Sequence, residues 1–118
     1  MAERSMEPIA TALRLLMDSR GMSDTEVWVA AGISPGALSR YLHGSRGTTA
    51  IDWRGAATIE KLAAALGVEP SYFIEYRMWE IRQAAKLFPL LADEMYDLLM
   101  GYVGREPGGL SNLRSKGT

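Results

Sequence analysis

The chain has 118 residues, 47% of them apolar, and a formal net charge of −1, which fits one compact domain with an appendage. It contains no cysteine, so a disulfide framework, a thiolate metal site and a cysteine nucleophile are excluded. No apolar run approaches the roughly 20 residues that span a bilayer, and the opening MAERSMEP lacks the apolar stretch of a secretory signal; a soluble, cytoplasmic protein is expected.

Residues 1–7 are expected to be loosely ordered. Pro8 suits the first turn of a helix that runs to about Ser19, with Ile9, Ala12, Leu13, Leu16 and Met17 on one face. Arg20-Gly21 ends it, and Met22 can act as a staple residue before Ser23. Ser23 and Glu26 stand in capping-box spacing and start a second helix, predicted to end at Ala31, with Val27 and Ala30 or Ala31 inward. Gly32 can take the left-handed conformation that closes a helix. Ile33 is apolar, Ser34 can cap, and Pro35 suits a first helical position. A third helix then runs to about Leu42 and stops before Gly44. Helix, four-residue turn, helix is a helix-turn-helix. The third helix has Leu38, Tyr41 and Leu42 on its inner side and Gly36, Ala37, Ser39, Arg40 and His43 on the other.

Ser45 to Ala57 reads as a long connection carrying Arg46, Trp53 and Arg54. Two readings of the arginines stay open, phosphate contacts or solvated charges, while Trp53 and Ile51 are expected to pin the segment to the core. A fourth helix is predicted from about Ala57 to Leu66, with Ile59, Leu62, Ala63 and Leu66 inward and Gly67 as its stop. Val68 packs, and Pro70 starts the next helix. Beyond Ser71 the apolar residues Ile74, Met78, Ile81, Ala85 and Phe88 form a heptad seam, with Tyr72, Tyr76 and Trp79 as a second stripe. Pro89 interrupts the helix. A final helix, about Leu90 to Val103, carries Leu91, Met95, Leu98 and Tyr102 at similar steps, with Leu99 alongside. Two apolar stripes imply two partners. One is the chain's own domain; the other is expected to be a second copy, joined through Ile74, Met78, Ile81, Phe88, Leu91, Met95, Leu98 and Tyr102. The alternative is a helical hairpin folded back on the first domain. Gly104 to Thr118 reads as a flexible tail.

Ser23-x-x-Glu26, Ala31-Gly32-Ile33-Ser34, Leu38-Ser39-Arg40-Tyr41 and Gly44 resemble the phage-repressor (Cro/CI, or Xre) helix-turn-helix family. The resemblance continues through Thr58-Ile59-Glu60-Lys61-Leu62-Ala63 and Ala65-Leu66-Gly67-Val68-Glu69-Pro70, covering roughly Ile9 to Ile74. It implies an all-α fold: a five-helix, sequence-specific DNA-binding domain over residues 1–70. A helical dimerisation region over 71–103, made of a long helix and a final helix, and the tail over 104–118 would follow. Two positions depart from the family pattern. Trp28 stands where a small residue is usual and should widen the helix crossing or rotate a helix. Asp24 stands where a phosphate-reaching Gln is common, and a carboxylate would repel phosphate.

The DNA-binding residues expected on this basis are Ser34, Pro35, Gly36, Ala37, Ser39, Arg40, His43, Arg46 and Arg54. Arg40 can hold guanine O6 and N7, Ser39 can bond a base or a phosphate, and the Ala37 methyl can touch thymine. Ser34 and the helix N-terminus suit a phosphate. His43 serves equally as a partner of the helix dipole. Between Ser34 and Arg54, three arginines face Asp52 alone, whereas Glu69, Glu75, Glu80, Asp93, Glu94 and Asp97 lie elsewhere. A local basic face on a near-neutral protein implies marked salt sensitivity.

The expected protein is a cytoplasmic, nucleoid-associated transcriptional regulator, a repressor, binding double-stranded DNA as a homodimer on a roughly palindromic operator. With one His, no Cys and no phosphate loop or metal-spaced ligands, enzyme activity, a cofactor and a metal are not expected. The competing reading is a protein-interaction adaptor, or an antitoxin-like module, that uses the same fold on a protein partner.

Overall fold

The structure, a computed structural model, describes residues 3–43 and 50–104. Its helices are α1 (Ile9–Arg20), α2 (Asp24–Ala31), α3 (Pro35–Leu42), α4 (Trp53–Leu66), α5 (Ile74–Leu87) and α6 (Pro89–Val103), with a 3-10 turn over Pro70–Tyr72 and no strand among the described residues. The fold is all-α. The chain divides into two compact units, Met1–Ile81 and Arg82–Thr118, the division falling inside α5. The tail expected beyond Gly104 lies outside the described residues.

In the first unit the helical periodicity translates directly into burial. Ile9, Ala12, Leu13, Leu16 and Met17 of α1 are all buried, as are Ile59, Leu62, Ala63 and Leu66 of α4. Val27 and Ala31 complete this core from α2, and Leu38 and Tyr41 from α3. Helix α1 packs on α3 and α4, and α2 packs on the same two helices. Ser23 closes its capping box, its hydroxyl accepting from Glu26 N–H at 3.2 Å while the Glu26 carboxylate accepts from Ser23 N–H at 3.1 Å. Gly32 has φ 68°, a left-handed backbone that a Cβ would strain, and this is what lets the chain reverse between α2 and α3.

Val27 and Ala31 take the buried positions of α2, and the half-buried Trp28 indole packs against the core beside them. Asp24 is paired rather than bare: Arg14 Nη1 on α1 donates to its Oδ1 at 3.1 Å. Both side chains are exposed, so the pair contributes at most about 1 kcal/mol.

The N-terminal segment departs from expectation. Ser5 N–H donates to Tyr72 O at 2.9 Å, and Arg77 Nη2 donates to Ser5 O at 2.8 Å while its Nη1 donates to Ser71 O and Tyr72 O. Residues around Ser5 are therefore tied to the 3-10 turn, not loose. Pro8 flanks α1 as its N-cap and provides no capping side chain. The cap comes from far away in sequence: Glu75 Oε2 on α5 accepts from Ile9 N–H at 3.0 Å, in a site where Glu75 is only 7% exposed. Placing a carboxylate at a helix N-terminus satisfies an orphan donor and complements the macrodipole. Beside it, Phe73 is fully buried, edge-on to Tyr72 at 5.3 Å.

Of the two stripes beyond Ser71, Tyr72 and Tyr76 pack against the first unit's core. Tyr76 also donates its hydroxyl to Glu60 Oε2 at 2.6 Å; burial, and then the bond to Glu60, push its phenol up to about 12. The seam points otherwise. Met78 and Ile81 are exposed, Ile74 is half-buried, and Phe88, Leu91, Leu98 and Tyr102 are exposed, with Met95 half-buried. In the second unit Val103 is the one buried side chain among the described residues.

Two measurements test this account. Glu75→Ala strands the Ile9 N–H in a buried site and should cost about 2 kcal/mol in urea unfolding, with Glu75→Gln, whose amide oxygen still accepts, losing less. The raised Tyr76 phenol means the folded state holds its proton more tightly than the unfolded chain. Its contribution is complete below the ordinary value of 10 and lost as pH rises through about 12. Between those limits the unfolding midpoint of wild type should fall more steeply than that of Tyr76→Phe.

Candidate nucleic-acid interface

Helix α3 has eight residues, and its capping decides which of them meet solvent. Ser34 Oγ accepts from Ala37 N–H at 3.0 Å, and Pro35 occupies the first turn, where no N–H is required. With Leu38 and Tyr41 buried and Leu42 half-buried, the opposite side falls to Ser34, Pro35, Gly36, Ser39, Arg40 and His43, all exposed, and to the half-buried Ala37. The ridge is narrow. Its two smallest positions, Gly36 and Ala37, lie on the first turn, and its charge is the Arg40 guanidinium. That group folds back along the helix, so a Cβ added at Gly36 would come 3.9 Å from Arg40 Nη1. His43 closes α3, its N–H donating to Ser39 O at 3.0 Å. A slim helix with one fork-shaped donor meets the steric requirement for entering a major groove.

Arg46 lies outside the described residues. Arg54 does not sit in a long connection, because α4 starts four residues earlier than its apolar stripe suggests. Asp52 is the N-cap: its Oδ1 accepts from Arg54 N–H at 3.1 Å and from Gly55 N–H at 3.0 Å. The Gly55 N–H chiefly holds the Asp52 carboxyl below the usual carboxylate range, against the opposing effect of desolvation and with further help from the Arg54 N–H and charge. Arg54 is thus in the first turn of α4, exposed, with its guanidinium carbon 5.2 Å from the Trp53 ring.

Trp53 itself contradicts the expected pinning role. It is 67% exposed, while Ile51 alone of the pair packs against the core. An Asp followed by a helical run was the available signal for this early start, and Gly55, a poor helix former, obscures it. The contact that needs Gly55 is local: a Cβ there would stand 3.0 Å from Ile51 Cβ, while the Tyr41 hydroxyl of α3 would lie at an ordinary contact distance of 3.5 Å. The first turn of α4 therefore lies beside the Tyr41 side chain. Among the described residues no cluster of three or more His, Cys, Asp or Glu could hold a metal ion, and no helix is long and apolar enough to cross a membrane.

No curated protein and no solved structure matches the chain. The model of the Cro/C1-type HTH DNA-binding domain matches residues 12–77, a span that takes in the capping box, the Gly32 turn, the exposed face of α3, the Asp52-capped start of α4 and the Phe73–Arg77 closure of the core. With more than half of its length so matched, the chain belongs to the Cro/C1-type helix-turn-helix DNA-binding family.

Proposed function

We propose that the protein is a transcriptional repressor, acting in the cytoplasm on the nucleoid as a homodimer that reads a roughly palindromic operator. The observation that carries the reading is the outer face of α3, small at its capped end and bearing a single guanidinium. Arg40 takes a guanine O6 and N7, Ser39 bonds a base or phosphate, and the Ala37 methyl contacts thymine. Ser34, Arg46 and Arg54 hold phosphates and set the register, while Pro35, Gly36 and His43 border the groove. Repression would follow from occupancy of the operator by the bound dimer.

Homodimerisation is supported by the second unit, in whose described residues Val103 is the one buried side chain. Leu87 is 72% exposed, Leu90 81% and Leu98 73%, a density of exposed apolar side chains that marks an interaction surface. The dimer joins through Ile74, Met78, Ile81, Phe88, Leu91, Met95, Leu98 and Tyr102. In this arrangement residues 1–70 read DNA and residues 71–103 set the distance between the reading heads. Two α3 helices then enter successive major grooves about 34 Å apart. The same exposed face of α6 supports a second reading, an adaptor or antitoxin-like module whose partner is another protein.

Binding of the purified chain to fragments of its own upstream DNA, at two salt concentrations, separates these. A regulator binds one fragment preferentially and weakens steeply with salt. Arg40→Ala should lower that affinity by roughly ten- to a hundredfold, the value of one bidentate base contact. Absence of binding at low salt would leave the adaptor. In sedimentation, wild type should run as a dimer and a Leu98→Glu, Tyr102→Glu double variant as a monomer; a monomeric wild type at high concentration would dismiss the homodimer.

A further inference from the structure

Trp53 is the large aromatic that the first unit leaves in solvent, at 67% exposure. Three contacts fix its place. The Asp52 cap starts α4 at Trp53, so the indole leaves from the helix end rather than from a face turned to the core. The Arg54 guanidinium carbon, 5.2 Å from the indole centroid, is within cation–π range. A Cβ at Gly55, one residue on, would lie 3.5 Å from the hydroxyl of Tyr41 on α3, and Tyr41 is buried. The first turn of α4, with Trp53 and Arg54, thus lies beside a side chain of the helix that bears Arg40.

We infer that Trp53 is a DNA-backbone contact, its ring lying across a deoxyribose at the edge of the groove that receives α3 and its N–H donating to a phosphate oxygen. The inference rests on the DNA-binding reading above and extends the same surface outward from α3. An indole offers apolar faces and one polar edge, which suits a surface that alternates sugar and phosphate. The amides of the α4 N-terminus do not serve as the phosphate site, because the Asp52 carboxylate occupies two of them. Attraction for phosphate falls instead to Arg54, which the indole steadies, while Trp53 contributes uncharged contact area. Base reading is assigned to α3, so the contribution of Trp53 is independent of sequence.

The test is fluorescence anisotropy of the full chain on two labelled duplexes of equal length, one from its own upstream DNA and one of mixed sequence, across a salt series. Trp53→Ala should weaken both by about tenfold, as loss of an aromatic anchor does, and leave the salt slope unchanged. Arg54→Ala should weaken both and lower that slope by about one unit. Trp53→Phe should fall between wild type and Trp53→Ala, and the unfolding midpoint of each variant should match wild type. Unchanged affinity in Trp53→Ala overturns the inference while leaving the regulator reading intact. A loss confined to the upstream duplex overturns it too, by making the indole a base contact. If wild type binds neither duplex at low salt, both readings fall together.

Discussion

Helices of eight residues do not persist in water on their own, because nucleation costs more than two turns of hydrogen bonds return. Both helices of the DNA-binding motif, α2 and α3, are of that length. They exist because each is closed at its start by a serine and each buries an inner side, α2 against α3 and α4, and α3 against α1 and α2. The shared core is therefore what presents the outer face of α3. Leu38 and Tyr41 point inward, and that rotation alone decides that Ser39 and Arg40 point outward.

The same core is closed by residues from beyond the motif. Glu75 caps α1, Phe73 is fully buried in the core, and Arg77 binds three carbonyls of the N-terminal segment and the 3-10 turn. The start of α5 thus belongs to the first compact unit. Three of that unit's acidic residues are held in local contacts: Glu75 is buried on a helix N-terminus, Asp24 is paired with Arg14, and Glu60 accepts from Tyr76.

The second unit has the opposite character. Its apolar side chains are regular in spacing yet largely exposed, with Val103 the one buried side chain among the described residues. A helix that carries such a stripe gains nothing from it until a partner surface removes it from water. The two units thus differ in kind: the first buries the apolar sides of its helices, while the described residues of the second leave theirs largely exposed.

Periodicity and capping are local properties, and they were legible in the chain. Spacing alone identified the buried sides of α1 and α4, the Ser23 box, the Gly32 turn and the inner residues of α3, because each depends on neighbours within one or two turns. The family followed from the same ordered residues. Tertiary structure decided the rest, because the partners are distant. Glu75 reads as one acidic residue among several until Ile9, 66 positions away, supplies its N–H. Ser5 reads as part of a loose terminus until Tyr72 and Arg77 hold it. Trp53 reads as core by its hydrophobicity, yet the Asp52 cap places it on the first turn of α4, where no packed surface reaches it and it remains in solvent.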